Sequence, residues 1–393
     1  MNKLNGTNGA SAAITDLVCF SHLRWNFVFQ RPQHLLSRFA KEFRVFFIEE
    51  PIFDSNSDSL LISLSKENVW VVVPHLSRDH SEKDSIQKQK ELLSRFFINL
   101  EINHYIFWYY TPMALSFTDH FTPELIVFDN MDELSAFRFA PPELIEKEKE
   151  LLSKADIVFT GGHSLYEAKK NRHDNIHAFP SSIDKSHFAK ARVHVADPED
   201  QSAIPHPRIG FYGVIDERMD LDLISQVAEQ RPDLHFIMIG PVLKIDSASL
   251  PRPGNIHYLG SKCYEELPSY LGGWDIAMIP FALNESTRYI SPTKTPEYLA
   301  AGKPVISTSI RDVINPYGNN NHVHIADTPD QFIQAVDKEL NQEDKRQWLA
   351  NVDEFLADNS WDSTWQQMMQ HIKNKLEVKP IDSPTKKKEH VYV

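Results

Sequence analysis

Lys294 and Glu297 stand three residues apart in the stretch Asn284–Thr308, NESTRYISPTKTPEYLAAGKPVIST. On a helix that spacing sets both side chains on one face, a turn apart. Ser291 suits the N-cap of such a helix and Pro292 its first position, where a missing N–H costs nothing. Pro296 is tolerated in the first turn, and Gly302 can end the helix at positive φ before the strand Val305–Ser307. Backbone amides near Thr293 and Lys294 would then lack intrahelical partners, and with the Lys294 charge they form an anion site. A diphosphate held there brings a sugar ring to the next turn, where Glu297 can accept hydroxyl hydrogen bonds. The chemistry this supports is recognition of a nucleoside diphosphate. Taken alone, the stretch reads equally as an ordinary capped helix feeding a buried strand.

Other residues carry similar double readings. Gly213 follows the strand RIGFY and opens the loop GVIDERMD, a turn where a phosphate can approach, with Arg218 as its charged clamp. It reads also as a plain strand-to-helix turn with a solvated arginine. No G-x-G-x-x-G follows that strand, which disfavours a nicotinamide site. Gly240-Pro241 ends the next strand and is a candidate for the same pocket. His22, Trp25, Gln30, Arg31 and His34 crowd the first strand-to-helix loop, a density of polar and aromatic groups that fits a cleft better than a core, although Trp25 and His34 read also as packing residues and Arg31 as a solvated charge. Asp129-Asn130-Met131-Asp132-Glu133 ends the strand LIVFD, as metal ligands or as a solvated, helix-capping cluster. Gly161-Gly162-His163-Ser164 ends the strand after it.

These loops need strands to carry them. Short apolar runs at Asp16–Phe20, Arg44–Glu50, Val69–Val73, His104–Tyr109, Leu125–Asp129, Ala155–Thr160 and Ile176–Phe179 alternate with helical segments. That alternation indicates a parallel sheet covered on both faces. Lys190–His206 is polar, proline-bearing and without period, and is expected as an interdomain linker. The pattern then restarts with Arg208–Tyr212, Leu234–Ile239, His257–Leu259, Trp274–Pro280, Val305–Ser307 and His322–Ala326. The expected α/β architecture is therefore two doubly wound domains, residues 14–190 and 207–355, facing a central cleft where ligands meet the carboxyl ends of the strands. Trp361–Leu376 has apolar residues at helical spacing, and residues 379–393, with Lys386-Lys387-Lys388, read as a flexible tail like the polar start.

Composition narrows the function classes. The chain has 393 residues, 41% hydrophobic and 24% charged, with a net charge of −13, which suits two ordinary globular domains and disfavours nucleic-acid partners. Two cysteines, Cys19 and Cys263, make neither a metal pattern nor a disulfide framework and point to a reducing cytosol. The polar start lacks the apolar core of a signal peptide, and no apolar run has the length of a membrane span.

The motif S-P-x-K-x-x-E-Y-L-A-A-G-K-P-V at Ser291–Val305 resembles the nucleotide-sugar segment of the GT-B glycosyltransferases of the retaining, glycogen-synthase-like superfamily. W-x-x-x-x-Q-R-P-Q-H at Trp25–His34 resembles the first loop of one bacterial branch of it, and Asp129–Glu133 its Y-D-x-x-D-E strand end. The likeness runs from Ser21 to about Leu376. It implies that Glu297 binds the donor ribose and that Ser291, Pro292, Thr293 and Lys294 serve the diphosphate, with Arg218 a frequent Arg or Lys position. Tyr264 resembles the position near the base, and reads equally as helix-cap packing. The first loop, His22 to His34, faces acceptor and diphosphate, and the last helix, 356–378, crosses back onto the first domain. Two departures stand out: Tyr289 replaces a second Glu that meets the donor sugar, and the first domain's strand-end His is absent, leaving Asp129 and Asp132. The resemblance implies front-face transfer with retention from a nucleotide-diphosphate sugar to a saccharide or glycolipid hydroxyl, without metal or cofactor. It implies work on surface polysaccharide in the cytoplasm, with peripheral contact at the membrane's inner face. A nucleotide-sugar epimerase on the same fold and a non-catalytic sugar-nucleotide binder are the other readings.

Overall fold

The computed structural model describes residues 14–193 and 196–378. The polar start up to residue 13 and the tail 379–393 lie outside the described residues. Strand β1 (Asp16–Ser21) is central in the first sheet, flanked by β2 (Arg44–Glu49) and β6 (Tyr105–Tyr109), both parallel to it. With β3 (Ile52–Ser55), β4 (Ser59–Leu64), β5 (Val69–Ser77), β7 (Leu125–Asn130), β8 (Ile157–Thr160) and β9 (Ile176–Ala178), the order is β3-β5-β2-β1-β6-β7-β8-β9. β4 pairs antiparallel with β5. Sequence patterning had left out β3 and β4 because their residues are mostly exposed and show no buried alternation.

The second sheet holds β10 (Arg208–Tyr212), β11 (His235–Ile239), β12 (Ile256–Gly260), β13 (Ile276–Ile279), β14 (Val305–Ser307) and β15 (Val323–Ile325). Its order is β12-β11-β10-β13-β14-β15, with every pair parallel. Strand order reverses at β1 in one sheet and at β10 in the other, so the loops after these two strands open at the switch points where a crevice forms. β10, RIGFY, is fully buried, and Gly210 admits the Trp274 ring, whose Cδ2 would lie 2.0 Å from an added Cβ.

Each sheet has its own apolar cover. Phe20, Phe46, Phe96 and Phe107 belong to the core on one face of the first sheet, and Leu35, Leu36, Phe39 and Trp108 to that on the other. Trp361, Met368, Met369 and Ile372 of the last helix, Trp361–Val378, join the latter, so this helix is built into the first domain. The stretch expected as a linker is instead part of the second domain. Ile183, Phe188, Ala191 and Ile204 belong to its core, Arg192 pairs with Asp353 at 2.7 Å, and buried Arg208 pairs with Asp197 at 2.6 Å. Most of the described side chains there are exposed, while Ala191, Gln201 and Ile204 are buried and tie the stretch down. The chain crosses beside the start of the last helix, where Ser182 and Thr364 hydroxyls meet at 2.5 Å.

Polar contacts join the domains around the cleft. Asp312 Oδ1 accepts from the Ser164 amide at 2.9 Å and from the Ser164 hydroxyl. Arg138 donates to the Lys244 carbonyl at 3.2 Å, and Lys66 meets Glu265 at 2.5 Å. Gly162 has no room for a side chain here, since an added Cβ would lie 2.3 Å from Asp312 Oδ2 and 2.7 Å from Ser291 Cβ.

Candidate active site

The cleft contains two adjoining cavities. The inner one, about 170 Å³, is lined by Gln30, His34, Asp132, Arg218, Lys294 and Glu297 among others, and the outer one, about 310 Å³, by Trp25, Gly240, Lys262 and Leu267. Phe29, Tyr212, Gly213 and Tyr264 line both, so the two spaces meet at the end of β10.

On the second-domain wall, Gly213 takes φ +137°, and an added Cβ would lie 2.4 Å from Lys294 Cε and 2.7 Å from its Nζ. The lysine therefore lies directly across the glycine. Its ammonium is 5.5 Å from the Phe211 ring centroid and 5.9 Å from that of Phe281. Among the described residues no salt bridge holds it. Burial and the nearby Arg218 pull the Lys294 pKa down, against Glu297, Asp216 and Asp132, which raise it. Glu297, one turn deeper, is buried, with Oε2 accepting from the Tyr212 hydroxyl. Burial lifts its carboxyl above the usual range, opposed by the Tyr212 hydrogen bond and Lys294.

The helix beneath them runs Lys294–Ala300 with Thr293 at the N-cap in a helical conformation, φ −55° and ψ −31°. Ser291 and Pro292, expected at cap and first position, precede it in a turn closed by the Thr295 amide donating to the Pro292 carbonyl at 3.2 Å. All of Ser291, Pro292 and Thr293 still line the inner cavity. Gly302, at φ +73°, follows the helix end. Arg218 is held by Asp216, whose carboxylate takes its Nε and Nη2 at 2.7–3.1 Å, and its guanidinium lies 5.6 Å from the Phe137 ring. Lys244 approaches the same ring at 5.1 Å, so Phe137 of the first domain sits against two cations of the second.

The first-domain wall divides the acids. Asp129 is fully buried and lines neither cavity; it binds Arg31 through Nε at 3.0 and 3.1 Å and Nη2 at 2.8 Å. Arg31 Nη1 also donates to the Phe179 carbonyl at 2.7 Å. Asp129 belongs to β7 in the interior of the parallel sheet, beside Phe159 of β8, which is why it points at a partner and not at the cleft. Asp132, beyond the strand end, is half-buried and lines the inner cavity, raised by burial and drawn back down by Arg218, Arg31 and Lys294. Across the cavity, Asp132 of the first domain thus faces Arg218 and Lys294 of the second.

Aromatic groups fix the remaining wall. His34 stacks on Trp361 at 4.7 Å, and burial holds its pKa well below the ordinary value, keeping it neutral. Tyr264 stacks on His187 at 4.2 Å and on Phe29 at 4.7 Å, with its hydroxyl buried and without a partner among the described residues. Trp25 is buried against Phe47 and donates from Nε1 to Glu67 at 3.3 Å. Gln30 donates its amide to the Gln33 side chain at 3.0 Å and lines the inner cavity. His22 lines neither cavity, and its pKa is lowered to about 4, chiefly by burial. Tyr289, with Glu285 and Arg288, lines a separate open groove; its neighbour Ile290 faces the cleft. Exposed His163 likewise falls outside both cavities.

Tyr212, Phe29 and Trp361 went unnoticed in the sequence. For Tyr212 there was a signal, a hydroxyl-bearing residue closing an otherwise apolar strand just before Gly213. Among the described residues, no group of three or more His, Cys, Asp or Glu could hold a metal ion.

Comparison with known proteins fits this geometry. Residues 206–342 match the glycosyl transferases group 1 family. A putative teichuronic acid biosynthesis glycosyltransferase, TuaH of Bacillus subtilis, is 28% identical over 167 residues, 42% of this chain and 42% of that protein. The match thus spans less than half of the curated relative's length. Sucrose-phosphate synthase from Thermosynechococcus elongatus superposes with a TM-score of 0.70 at 14% identity, covering 93% of this chain and 100% of that one. HepE of Anabaena, in complex with UDP and glucose, gives 0.66 at 14% identity, covering 91% and 99%. The two-domain architecture is the GT-B fold.

Proposed function

For a chain that carries a glycosyl transferases group 1 domain at residues 206–342, we propose the transfer of a sugar from a nucleotide-diphosphate donor to a hydroxyl of a saccharide or glycolipid, with retention. The observation that carries this reading is the pairing of Lys294 and Glu297 one turn apart, facing the cavity at the end of β10 where Gly213 leaves room for the lysine. The lysine suits a diphosphate, and the carboxylate beneath it suits vicinal hydroxyls. The outer cavity beside Gly240 and Tyr264 is the space left for a base. UDP is the first nucleotide to try, because the Anabaena HepE structure holds UDP and glucose.

In the proposed step the bond from the anomeric carbon to the diphosphate oxygen breaks, and the acceptor oxygen bonds to that carbon on the same face. The acceptor proton passes to the departing phosphate oxygen. Developing charge on the diphosphate is met by Lys294 and by Arg218, while Asp132 faces the positive anomeric centre or the acceptor hydroxyl. Asp129 acts at one remove, by holding Arg31. No bound cofactor enters this scheme.

The TuaH likeness supports work on cell-surface polysaccharide, and the reading puts the protein in the cytoplasm or at the inner face of the membrane. No helix among the described residues is long and apolar enough to cross a membrane. The test is NMR analysis of product from a labelled nucleotide sugar. Retained anomeric configuration in an acceptor-linked product supports the proposal, and an inverted product contradicts it. Conversion of donor without acceptor would favour an epimerase.

A further inference from the structure

Tyr212 closes β10 and lines both cavities, so it stands where the two halves of a bound nucleotide sugar would meet. Its hydroxyl donates to Glu297 Oε2, and its own amide donates to the Tyr298 hydroxyl at 3.0 Å. Its ring is fixed on several sides: edge-on to Tyr298 at 5.0 Å, parallel to Phe188 at 6.4 Å, and 6.2 Å from Trp274. Two hydrogen bonds and three aromatic neighbours leave the hydroxyl little freedom.

The consequence falls on Glu297. Among the described residues its side chain has one hydrogen-bond partner, Tyr212, and that partner occupies Oε2 alone. Oε1 belongs to a residue that lines the inner cavity. A carboxylate with one oxygen bound from behind cannot rotate to offer both, and a single oxygen has two lone pairs for neighbouring hydroxyls. Without that anchor, a buried carboxylate would have to choose its rotamer on binding, with part of the interaction lost to ordering.

We propose that Tyr212 is a positioning residue that turns Glu297 so that one carboxylate oxygen reads the ribose hydroxyls, and that it thereby sets the preference for ribonucleotide over deoxyribonucleotide donors. This rests on the nucleotide-sugar reading of the cleft. Tyr212 acts through Glu297, and its hydroxyl makes no contact with substrate.

The test is isothermal titration of UDP and 2′-deoxy-UDP, with the other nucleoside diphosphates alongside, against four forms: wild type, Tyr212→Phe, Glu297→Gln and the double variant. Wild type should prefer the ribonucleotide by tenfold or more. Tyr212→Phe should lose most of that preference through weaker ribonucleotide binding, with deoxyribonucleotide binding changed little. In the Glu297→Gln background, adding Tyr212→Phe should change the preference no further, because the residue through which it acts is already altered. A purely structural tyrosine would weaken both ligands alike and leave the ratio unchanged. An unchanged ratio in Tyr212→Phe overturns the inference while leaving the donor reading intact. The same holds for an equal loss of ratio in the Glu297→Gln background. If Tyr212→Phe does not fold, the double variant, which leaves no buried carboxylate without its hydroxyl partner, decides against Glu297→Gln alone: a further change in ratio overturns the inference, and an equal ratio supports it. Wild type that binds no nucleoside diphosphate overturns the donor reading and the inference with it.

Discussion

Lys294 and Glu297 are the residues on which the proposed chemistry turns, and their environment makes them testable separately. Lys294→Ala removes the charge placed against the departing diphosphate, and turnover should fall roughly 100- to 1000-fold. The melting temperature should move far less, because the ammonium is in no ion pair among the described residues; unchanged turnover in a kinetic assay would contradict the role. The same two groups set the pH dependence. Donor binding requires the charged lysine and the charged carboxylate. Burial lowers the Lys294 pKa and raises that of Glu297, so both limbs of kcat/KM move inward. Activity should decline on the alkaline side below the ordinary lysine value of about 10.4, and on the acid side above the ordinary glutamate value of about 4.3. The two groups interact, so the limbs belong to the pair. Lys294→Arg, which stays charged, should remove the alkaline limb alone. Limbs at the ordinary glutamate and lysine values in wild type would refute this account.

At the scale of the element, the turn after β10 and the last helix carry the site. Gly213 combines φ +137° with the Lys294 side chain 2.4 Å from any added Cβ. Gly213→Ala should therefore displace the lysine and abolish nucleotide binding by calorimetry while the protein remains folded by circular dichroism. Trp361 is almost fully buried in the first-domain core and stacks on His34 at the cleft wall. Trp361→Ala should cost about 3–5 kcal/mol in denaturant unfolding. The repeated buried strands were legible because apolar runs of fixed length leave little choice, and Ser291–Val305 was legible because proline, lysine, glutamate and glycine each have positional meaning. The helix start was misplaced by two residues, since the Pro292–Thr295 turn competes with a Ser291 cap and sequence alone does not rank them. β3 and β4 escaped notice for want of a buried face. The stretch 190–206 looked like a linker because most of its residues are exposed and only scattered ones, Ala191 and Ile204, reach the core.

At the scale of the molecule, function depends on two domains held face to face. The Asp312–Ser164 clasp joins the short helix Arg311–Val313 after β14 to the helix His163–Lys169 after β8, and Asp312 Oδ2 stays buried without a partner among the described residues. Asp312→Ala should widen the domain angle, seen as a larger radius of gyration by small-angle scattering, and raise the KM for donor about fivefold or more. Unaltered values for both would assign closure to the Arg138 and Lys66 contacts instead. These pairings join residues more than a hundred positions apart, so local patterning held no trace of them. The same distance explains Asp129, whose place in the sequence suggests a cleft acid while its partner Arg31 lies 98 residues away. The central claim is that the cleft binds a nucleoside diphosphate through Glu297. It is tested most directly by thermal melting against a panel of nucleoside diphosphates and their sugars, for wild type and Glu297→Ala. A ligand at a hundred times its Kd stabilises by about 2.7 kcal/mol. The account predicts a clear rise in melting temperature with one nucleoside diphosphate, lost in the variant; no rise with any of them, or an equal rise in the variant, would contradict it.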